Sequence, residues 1–380
     1  MENAFKLIDM AKTMNNIKIE IKNLYKIFGA KDKSFVDSIK NGMSKQELLD
    51  QHNHVLGLDN INLAIPEKKI QVIMGLSGSG KSTLIRHINR LIEPTSGELY
   101  VDGENVLTMS QSQLREFRRK STSMVFQKFA LLPHKTVSQN VAYGLTIQGV
   151  KESVAKDKSH RWIDRVGLAG FEERYPAQLS GGMQQRVGLA RALATDAPIL
   201  LMDEAFSALD PLIRTDMQNI LLELQQELHK TIIFITHDLD EALRIGDNIA
   251  ILRDGKVVQE GDPQEIIMKP ADSYIKDFIK DINRSKVIEL RSIMNSKVKG
   301  SGKGLKLNMT IDEALPILNT SKSNSFSIVD DDNNVLGSVN LDSAINALAR
   351  DAKGDVAERY KSVSYTHLRA HETKANRVCR

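Results

Sequence analysis

The sequence predicts an α/β fold in which a parallel β-sheet forms the principal domain and a smaller α+β unit follows. Two apolar runs typical of buried strands, PILLMDE (198–204) and TIIFITH (231–237), flank a segment whose apolar residues recur at helical spacing. A third apolar run, IQVIMGL (70–76), leads through a glycine-rich turn into a helical pattern. Because strand, helix and strand in that order favour parallel pairing, these runs predict the central sheet.

Composition sets the size and excludes some classes of function. The chain has 380 residues, of which 41% are hydrophobic and 26% charged, enough for the cores of about two domains. The 52 Lys and Arg exceed the 48 Asp and Glu by only +4, which argues against a nucleic-acid partner. Cys379 is the single cysteine, so no internal disulfide can form.

The first hundred residues predict a small sheet. Ile17, Ile19 and Ile21 alternate with polar residues, INLAI (61–65) follows, and GELYVDGENV carries a turn at Asp102-Gly103. Between them, residues 30–56 are polar, and the pattern from Ser44 to Glu47 is a capping box that predicts a short surface helix. From about 110 to 195 the pattern is mostly helical.

A change of composition after Asp281 predicts a domain boundary near 282. Residues 284–306 hold seven Lys or Arg against one acid and end in a Gly/Ser/Lys linker. A helix (310–319), a strand (326–330), a turn, a second strand and a helix from Leu341 should follow. We therefore expect domains at 1–282 and 283–361, and we interpret 362–380, which has no apolar period, as a tail of non-native origin.

A phosphate-binding pattern lies between the strand IQVIM and the helix that opens at Thr83, a residue that we also expect to bind the nucleotide. Its glycines allow successive backbone N–H groups to turn inward around phosphate oxygens at the positive end of a helix. Lys81 would reach the β- and γ-phosphates, and Ser82 would ligate Mg²⁺. The alternative is an ordinary glycine turn. The residues of the pattern are Gly75, Leu76, Ser77, Gly78, Ser79, Gly80, Lys81 and Ser82.

Two adjacent carboxylates, Asp203 and Glu204, end the strand ILLMDE. Since strand residues alternate between faces, we expect their side chains to diverge. Asp203 would then hold the Mg²⁺ shell, and Glu204 would polarise the attacking water. The alternative is that both merely cap the next helix.

A second glycine-rich helix start, LSGGMQQR (179–186), provides another anion site. LSGGMQQR is identified as the signature of ATP-binding cassette (ABC) ATPases, and its position between the phosphate loop and the Asp-Glu strand is that family's order. The resemblance covers about residues 17–270. It implies a RecA-like core, an antiparallel β subdomain and a helical signature subdomain.

The same resemblance assigns further residues. Gln127 in MVFQKF resembles the glutamine that contacts Mg²⁺ and the reacting water, and His237 resembles the histidine that contacts the γ-phosphate. Asp210 ends the D-loop SALD, and Phe28 resembles the aromatic that stacks on adenine, although Tyr25 and Phe35 lie nearby. In this family two ATPase subunits pack head to tail, so Ser180, Gly181 and Gly182 of one subunit would complete the ATP site of the other.

Much of the cassette resembles the ATPase subunits of glycine betaine/proline importers, through segments such as VIMGLSGSGKSTLIRHINRLIEPTSGE and LLMDEAFSALDPLIRTDMQ. The resemblance implies a homodimer at the cytoplasmic face of the plasma membrane, bound to permease subunits and working with a substrate-binding protein or domain. The alternative class is an ABC ATPase that acts as a switch on DNA or ribosomes. We favour the importer because neither a long coiled-coil insertion nor a second cassette is present.

Residues 286–350 resemble one cystathionine-β-synthase (CBS) motif, through TIDEAL and FSIVDDDNNVLGSVNLDSAINAL. Such motifs normally pair, and only one is legible here. The resemblance implies regulation by an adenine nucleotide. The basic stretch at its start could instead contact anionic lipid, which salt would screen, or could be a solvated linker.

Overall fold

In the computed structural model, residues 16–207, 209–298, 300, 304–320 and 325–348 are described. The chain divides into two units, Met1–Ile266 and Ile267–Arg380. The boundary near 282 and the CBS-like character of the second domain stay predictions. Residues 349–380, which include the tail, lie outside the described part.

The strands and helices are numbered along the chain. The strands are β1 (Ile17–Phe28), β2 (Val55–Pro66), β3 (Ile70–Met74), β4 (Ser96–Val101), β5 (Glu104–Asn105), β6 (Thr122–Val125), β7 (Ile199–Asp203), β8 (Thr231–Thr236), β9 (Asn248–Arg253), β10 (Lys256–Gly261), β11 (Leu305–Lys306), β12 (Phe326–Val329) and β13 (Val335–Val339). The helices are α1 (Val36–Lys40), α2 (Lys45–His52), α3 (Lys81–Ile88), α4 (Gln111–Lys120), α5 (Val137–Ile147), α6 (Glu152–Arg165), α7 (Gly181–Ala194), α8 (Pro211–Leu228), α9 (Leu239–Ile245), α10 (Pro263–Met268), α11 (Ser273–Phe278), α12 (Leu290–Ile293), α13 (Ile311–Thr320) and α14 (Leu341–Leu348).

An antiparallel sheet of order β2-β1-β4-β5 forms the predicted first layer. Its inward residues alternate along β1, where Ile19 and Ile21 are buried. The turn between β4 and β5 falls at Asp102-Gly103, as predicted, and both residues have left-handed backbones, with φ of 52° and 78°. The capping box at Ser44 and Glu47 that opens α2 is also confirmed.

The central sheet has the order β10-β9-β3-β8-β7-β6, and it is parallel except for the edge strand β10. Strands β3, β7 and β8 are buried along their whole length, which confirms the prediction from apolar runs. The helical expectation for 110–195 misses β6, because four residues are too short to show a period. Strands β9 and β10 were likewise not predicted.

Helices α5, α6 and α7 form a helical layer with its own core, built around Val141, Ile163 and Val187. In the second unit, β11, β12 and β13 form a small sheet, and α13, β12 and α14 lie within a residue of the expected positions. No helix within the described ranges is long and apolar enough to span a membrane.

Candidate nucleotide-binding site

The phosphate loop follows β3 and leads into α3, as predicted, although α3 begins at Lys81 and not at Thr83, so that Lys81, Ser82 and Thr83 form its first turn. Gly75 needs to be glycine because its φ is +151° and an added Cβ would lie 2.2 Å from the carbonyl oxygen of Leu252. Gly78 and Gly80 also have positive φ, 78° and 103°. Ser77 is exposed, whereas the hydroxyl of Ser79 is buried and has no hydrogen-bond partner.

Lys81 is drawn into this loop. Its side chain is only 4% exposed, and Nζ donates hydrogen bonds to the carbonyl oxygens of Gly75 (2.9 Å) and Leu76 (3.1 Å). Burial lowers the pKa of Lys81, and the Glu204 and Asp203 carboxylates partly oppose that shift. The ammonium group is therefore held against the backbone of this loop.

Ser82 and Asp203 meet although 121 residues separate them. The Ser82 hydroxyl donates to Oδ1 of Asp203 at 2.8 Å, and Arg86 donates to Oδ2 at 3.0 Å. Arg86 was not singled out from the sequence. It lies four residues after Ser82, on the same face of α3, and that spacing is the signal that could have identified it.

The divergence of Asp203 and Glu204 is real, but its expected cause is wrong. Strand β7 ends at Asp203, and Glu204 has a left-handed backbone with φ of 46°, so strand alternation does not separate the two. A non-glycine residue in this region is strained, and such strain is commonly found at functional sites. The left-handed turn, rather than the pleat of the strand, sets the direction of the Glu204 side chain.

Three predicted residues converge on the carboxylate of Glu204. Gln127 Nε2 donates to Oε2 at 2.9 Å, His237 Nδ1 lies 3.8 Å from the same oxygen, and Lys81 Nζ lies 3.8 Å from Oε1. His237 directly follows β8 and is 57% exposed. The carboxyl ends of β3, β7 and β8 thus bring together the Lys81 ammonium, the Glu204 carboxylate and the His237 imidazole.

The signature residues and the D-loop aspartate do not join this cluster. Ser180 caps α7 by accepting a hydrogen bond from the backbone N–H of Met183. Within the described part of the chain, no hydrogen bond or ion pair joins Ser180, Gly181 or Gly182 to the phosphate loop. Gly182 packs under Ile213, where an added Cβ would lie 2.8 Å from Cγ2. Asp210 is exposed ahead of α8.

Phe28 is the exposed aromatic of the three candidates. Its side chain is 40% exposed at the end of β1, whereas Tyr25 is 6% exposed. Phe35 stands against the rings of His52 and His54. Gly57, which the sequence analysis did not single out, lies between the Phe28 ring and the phosphate loop. An added Cβ on Gly57 would lie 2.7 Å from Cε2 of Phe28. On its other side, the carbonyl oxygen of Gly57 would lie 2.6 Å from an added Cβ on Gly80.

The donor set fits a nucleotide with Mg²⁺. The glycine cradle, the buried Lys81 and the unpartnered Ser79 hydroxyl suit phosphate oxygens. Ser82 and Asp203 place two oxygen donors side by side, and Mg²⁺ prefers oxygen ligands while keeping water and phosphate oxygens. No cluster of three or more His, Cys, Asp or Glu that could hold a metal occurs among the residues described.

Comparison with known proteins gives one family. A family model described as ABC transporter matches residues 58–207. The glycine betaine transport ATP-binding protein OpuAA of Bacillus subtilis (strain 168) is 50% identical over 336 residues, which are 88% of this chain and 79% of that protein. The glycine betaine/proline betaine transport system ATP-binding protein ProV of Escherichia coli (strain K12) is 46% identical over 346 residues, 90% of this chain and 85% of that protein.

A solved structure shares the fold of the cassette. The dimeric post-hydrolysis state of the ATP-binding cassette MJ0796, bound to ADP and Pi, is matched with a TM-score of 0.56 at 32% identity. The match covers 64% of this chain and 98% of that one.

Proposed function

The chain belongs to the ATP-binding subunits of ABC transporters, in the group of the glycine betaine transport ATP-binding proteins, and we propose that it energises uptake of a betaine-type compatible solute. The predicted cassette fold and its class of activity, ATP hydrolysis, are confirmed by these relatives. The observation that carries the residue assignments is the convergence of Gln127, His237 and Lys81 on Glu204, beside the Ser82–Asp203 pair.

Each group has a role that follows from its position. The loop N–H groups and Lys81 bind the phosphates, because the buried ammonium lies against the glycine-rich loop at the start of α3. Ser82 and Asp203, with Gln127 nearby, would hold Mg²⁺, which neutralises phosphate charge when bound. Glu204 accepts the proton of the attacking water, and Gln127 and His237, which both lie at Oε2 of this carboxylate, orient that water and the γ-phosphate.

The signature residues act across a dimer in this proposal. Ser180 and Gly181 are exposed at the start of the fourteen-residue helix α7, where free backbone N–H groups can meet an anion. The dimeric MJ0796 cassette supports the arrangement. We assign Asp210 to the same interface, because it is exposed just ahead of α8 and α8 packs on Gly182 through Ile213.

We propose the remaining partners by analogy with transporters of this family. A homodimer of this chain would bind membrane permease subunits at the cytoplasmic face of the plasma membrane, and these would receive solute from a binding protein or domain. The CBS-like module predicted at 283–361 would regulate the cycle through an adenine nucleotide or anionic lipid. The second candidate function, a switch on DNA or ribosomes, has no support from the relatives described above, which are named for transport.

Reconstitution tests the proposal. When the chain is assembled with its permease and binding component in vesicles, the complex should hydrolyse ATP, and glycine betaine uptake should rise in proportion to the rate of hydrolysis. Glu204→Gln should bind ATP but lower kcat by about 10²–10⁴-fold, because it keeps the shape of the side chain and loses the base. Wild-type turnover by that variant would refute the base assignment. ATP hydrolysis without uptake of glycine betaine, proline betaine or carnitine would refute the transport proposal.

A further inference from the structure

Arg191, on the signature helix α7, contacts the loop that carries Gln127. Its Nη1 donates to the carbonyl oxygen of Ala130 at 2.7 Å, and its Nη2 donates to that of Phe129 at 2.9 Å. The planar guanidinium therefore holds two consecutive carbonyl groups with two separate nitrogens in a fixed geometry, which the single nitrogen of a lysine does not impose.

The two carbonyl groups belong to strained residues. Phe129 and Ala130 both have left-handed backbones, with φ of 56° and 48°. Each such non-glycine residue is strained and persists only where its surroundings enforce it. The bidentate contact from Arg191 supplies that enforcement, two residues after Gln127.

The same stretch of loop lies against the signature helix. An added Cβ on Gly181 would lie 3.9 Å from Cζ of Phe129, and one on Gly188 would lie 3.7 Å from the Phe129 carbonyl oxygen. Farther along the loop, the buried side-chain amide of Asn140, on α5, makes three hydrogen bonds. Its Oδ1 accepts one from the backbone N–H of Leu132, and its Nδ2 donates to the carbonyl oxygens of Leu132 and Lys135. Hydrogen bonds thus hold the loop to α7 at Phe129 and Ala130 and to α5 at Leu132 and Lys135.

We propose that Arg191 is a positioning residue that fixes Gln127 beside Glu204 by holding Phe129 and Ala130 on the signature helix. The inference rests on the proposed ATPase function and adds a residue to it. Because Arg191 acts through the loop and touches no phosphate-loop residue in the described part of the chain, its loss should lower kcat rather than weaken ATP binding.

The test uses the assembled transporter in vesicles. Arg191→Lys should lower the kcat of ATP hydrolysis by about 10- to 100-fold, since a misplacement of about 1 Å costs that much. The KM for ATP should stay within about twofold of wild type. In a Gln127→Ala background the same change should have no further effect on kcat, because both act through one group.

Arg118 supplies a matched control. From α4 it likewise donates to two consecutive carbonyl groups, those of Asn89 (2.9 Å) and Arg90 (2.5 Å), and Arg90 has a φ of 53°. Arg118→Lys should lower the melting temperature about as much as Arg191→Lys does, with kcat unchanged. Equal kcat losses in the two variants, or rate losses that multiply in the double variant with Gln127→Ala, would overturn the inference. A wild-type transporter without ATP turnover would instead refute the proposed function.

Discussion

Alanine in place of Gly57 tests whether Phe28 stacks on the nucleotide base. The added methyl group would lie 2.7 Å from Cε2 and 3.3 Å from Cδ2 of Phe28, while the nearest backbone atom, the Lys26 carbonyl oxygen, is 3.5 Å away. Since ordinary contacts begin at 3.4 Å, the ring must move by 3.4 − 2.7 = 0.7 Å. Phe28 is 40% exposed and can move into solvent, so the fold should tolerate the change.

The magnitude follows from the lost stacking. Aromatic stacking contributes about 0.5–1.5 kcal/mol beyond burial, and about 1.4 kcal/mol corresponds to tenfold in affinity. The Kd for ATP should therefore rise about 2- to 12-fold in Gly57→Ala. The predicted phosphate loop is not displaced, so binding of inorganic triphosphate, which has no base, should be unchanged.

Isothermal titration of both ligands provides the measurement. In a Phe28→Ala background, Gly57→Ala should have no further effect on ATP affinity, because the ring it displaces is gone. An unchanged Kd for ATP in Gly57→Ala, or a loss of triphosphate affinity equal to the loss of ATP affinity, would show that Phe28 does not stack on the base.

Two further predictions concern pH and stability. Burial lowers the pKa of His87, on α3, from 6.5 to about 4, and its Nε2 is buried without a hydrogen-bond partner. Because the folded state favours the neutral imidazole, the contribution of His87 to stability is present above pH 6.5 and is lost as pH falls towards 4. At 1.36 kcal/mol per pH unit, the free energy of unfolding should therefore fall by about 2 kcal/mol more between pH 7 and 5 in wild type than in His87→Leu, as measured by urea unfolding, and parallel pH profiles would contradict this. Burial raises the pKa of Glu241, which accepts a hydrogen bond from Gln218 at 3.0 Å, so its contribution to stability is present below pH 4.5 and is lost as pH rises through the folded pKa. Glu241→Gln should accordingly raise the melting temperature at pH 7 and match wild type below about pH 4.5, and a lower melting temperature at pH 7 would exclude an unfavourable buried charge.

Much of the site could be predicted because its chemistry is local. The phosphate loop occupies consecutive residues between a strand and a helix, so its pattern and its fold are read together. Arg86 was missed although helical spacing places it beside Ser82, since a lone arginine has many structural uses. Gly57 and Arg191 were missed because they act on residues 29 and 61 or 62 positions away, through backbone contacts that leave no sequence pattern.

The sequence by itself determined the family, the buried strands β3, β7 and β8 of the central sheet, and the residue types of the predicted phosphate site. Only the tertiary structure decided where Glu204 points, which aromatic remains exposed, and what holds the Gln127 loop. Those outcomes depend on single residues with left-handed backbones and on tertiary contacts between elements that are far apart in the sequence. Periodicity and motif spacing report local backbone geometry and therefore cannot specify them.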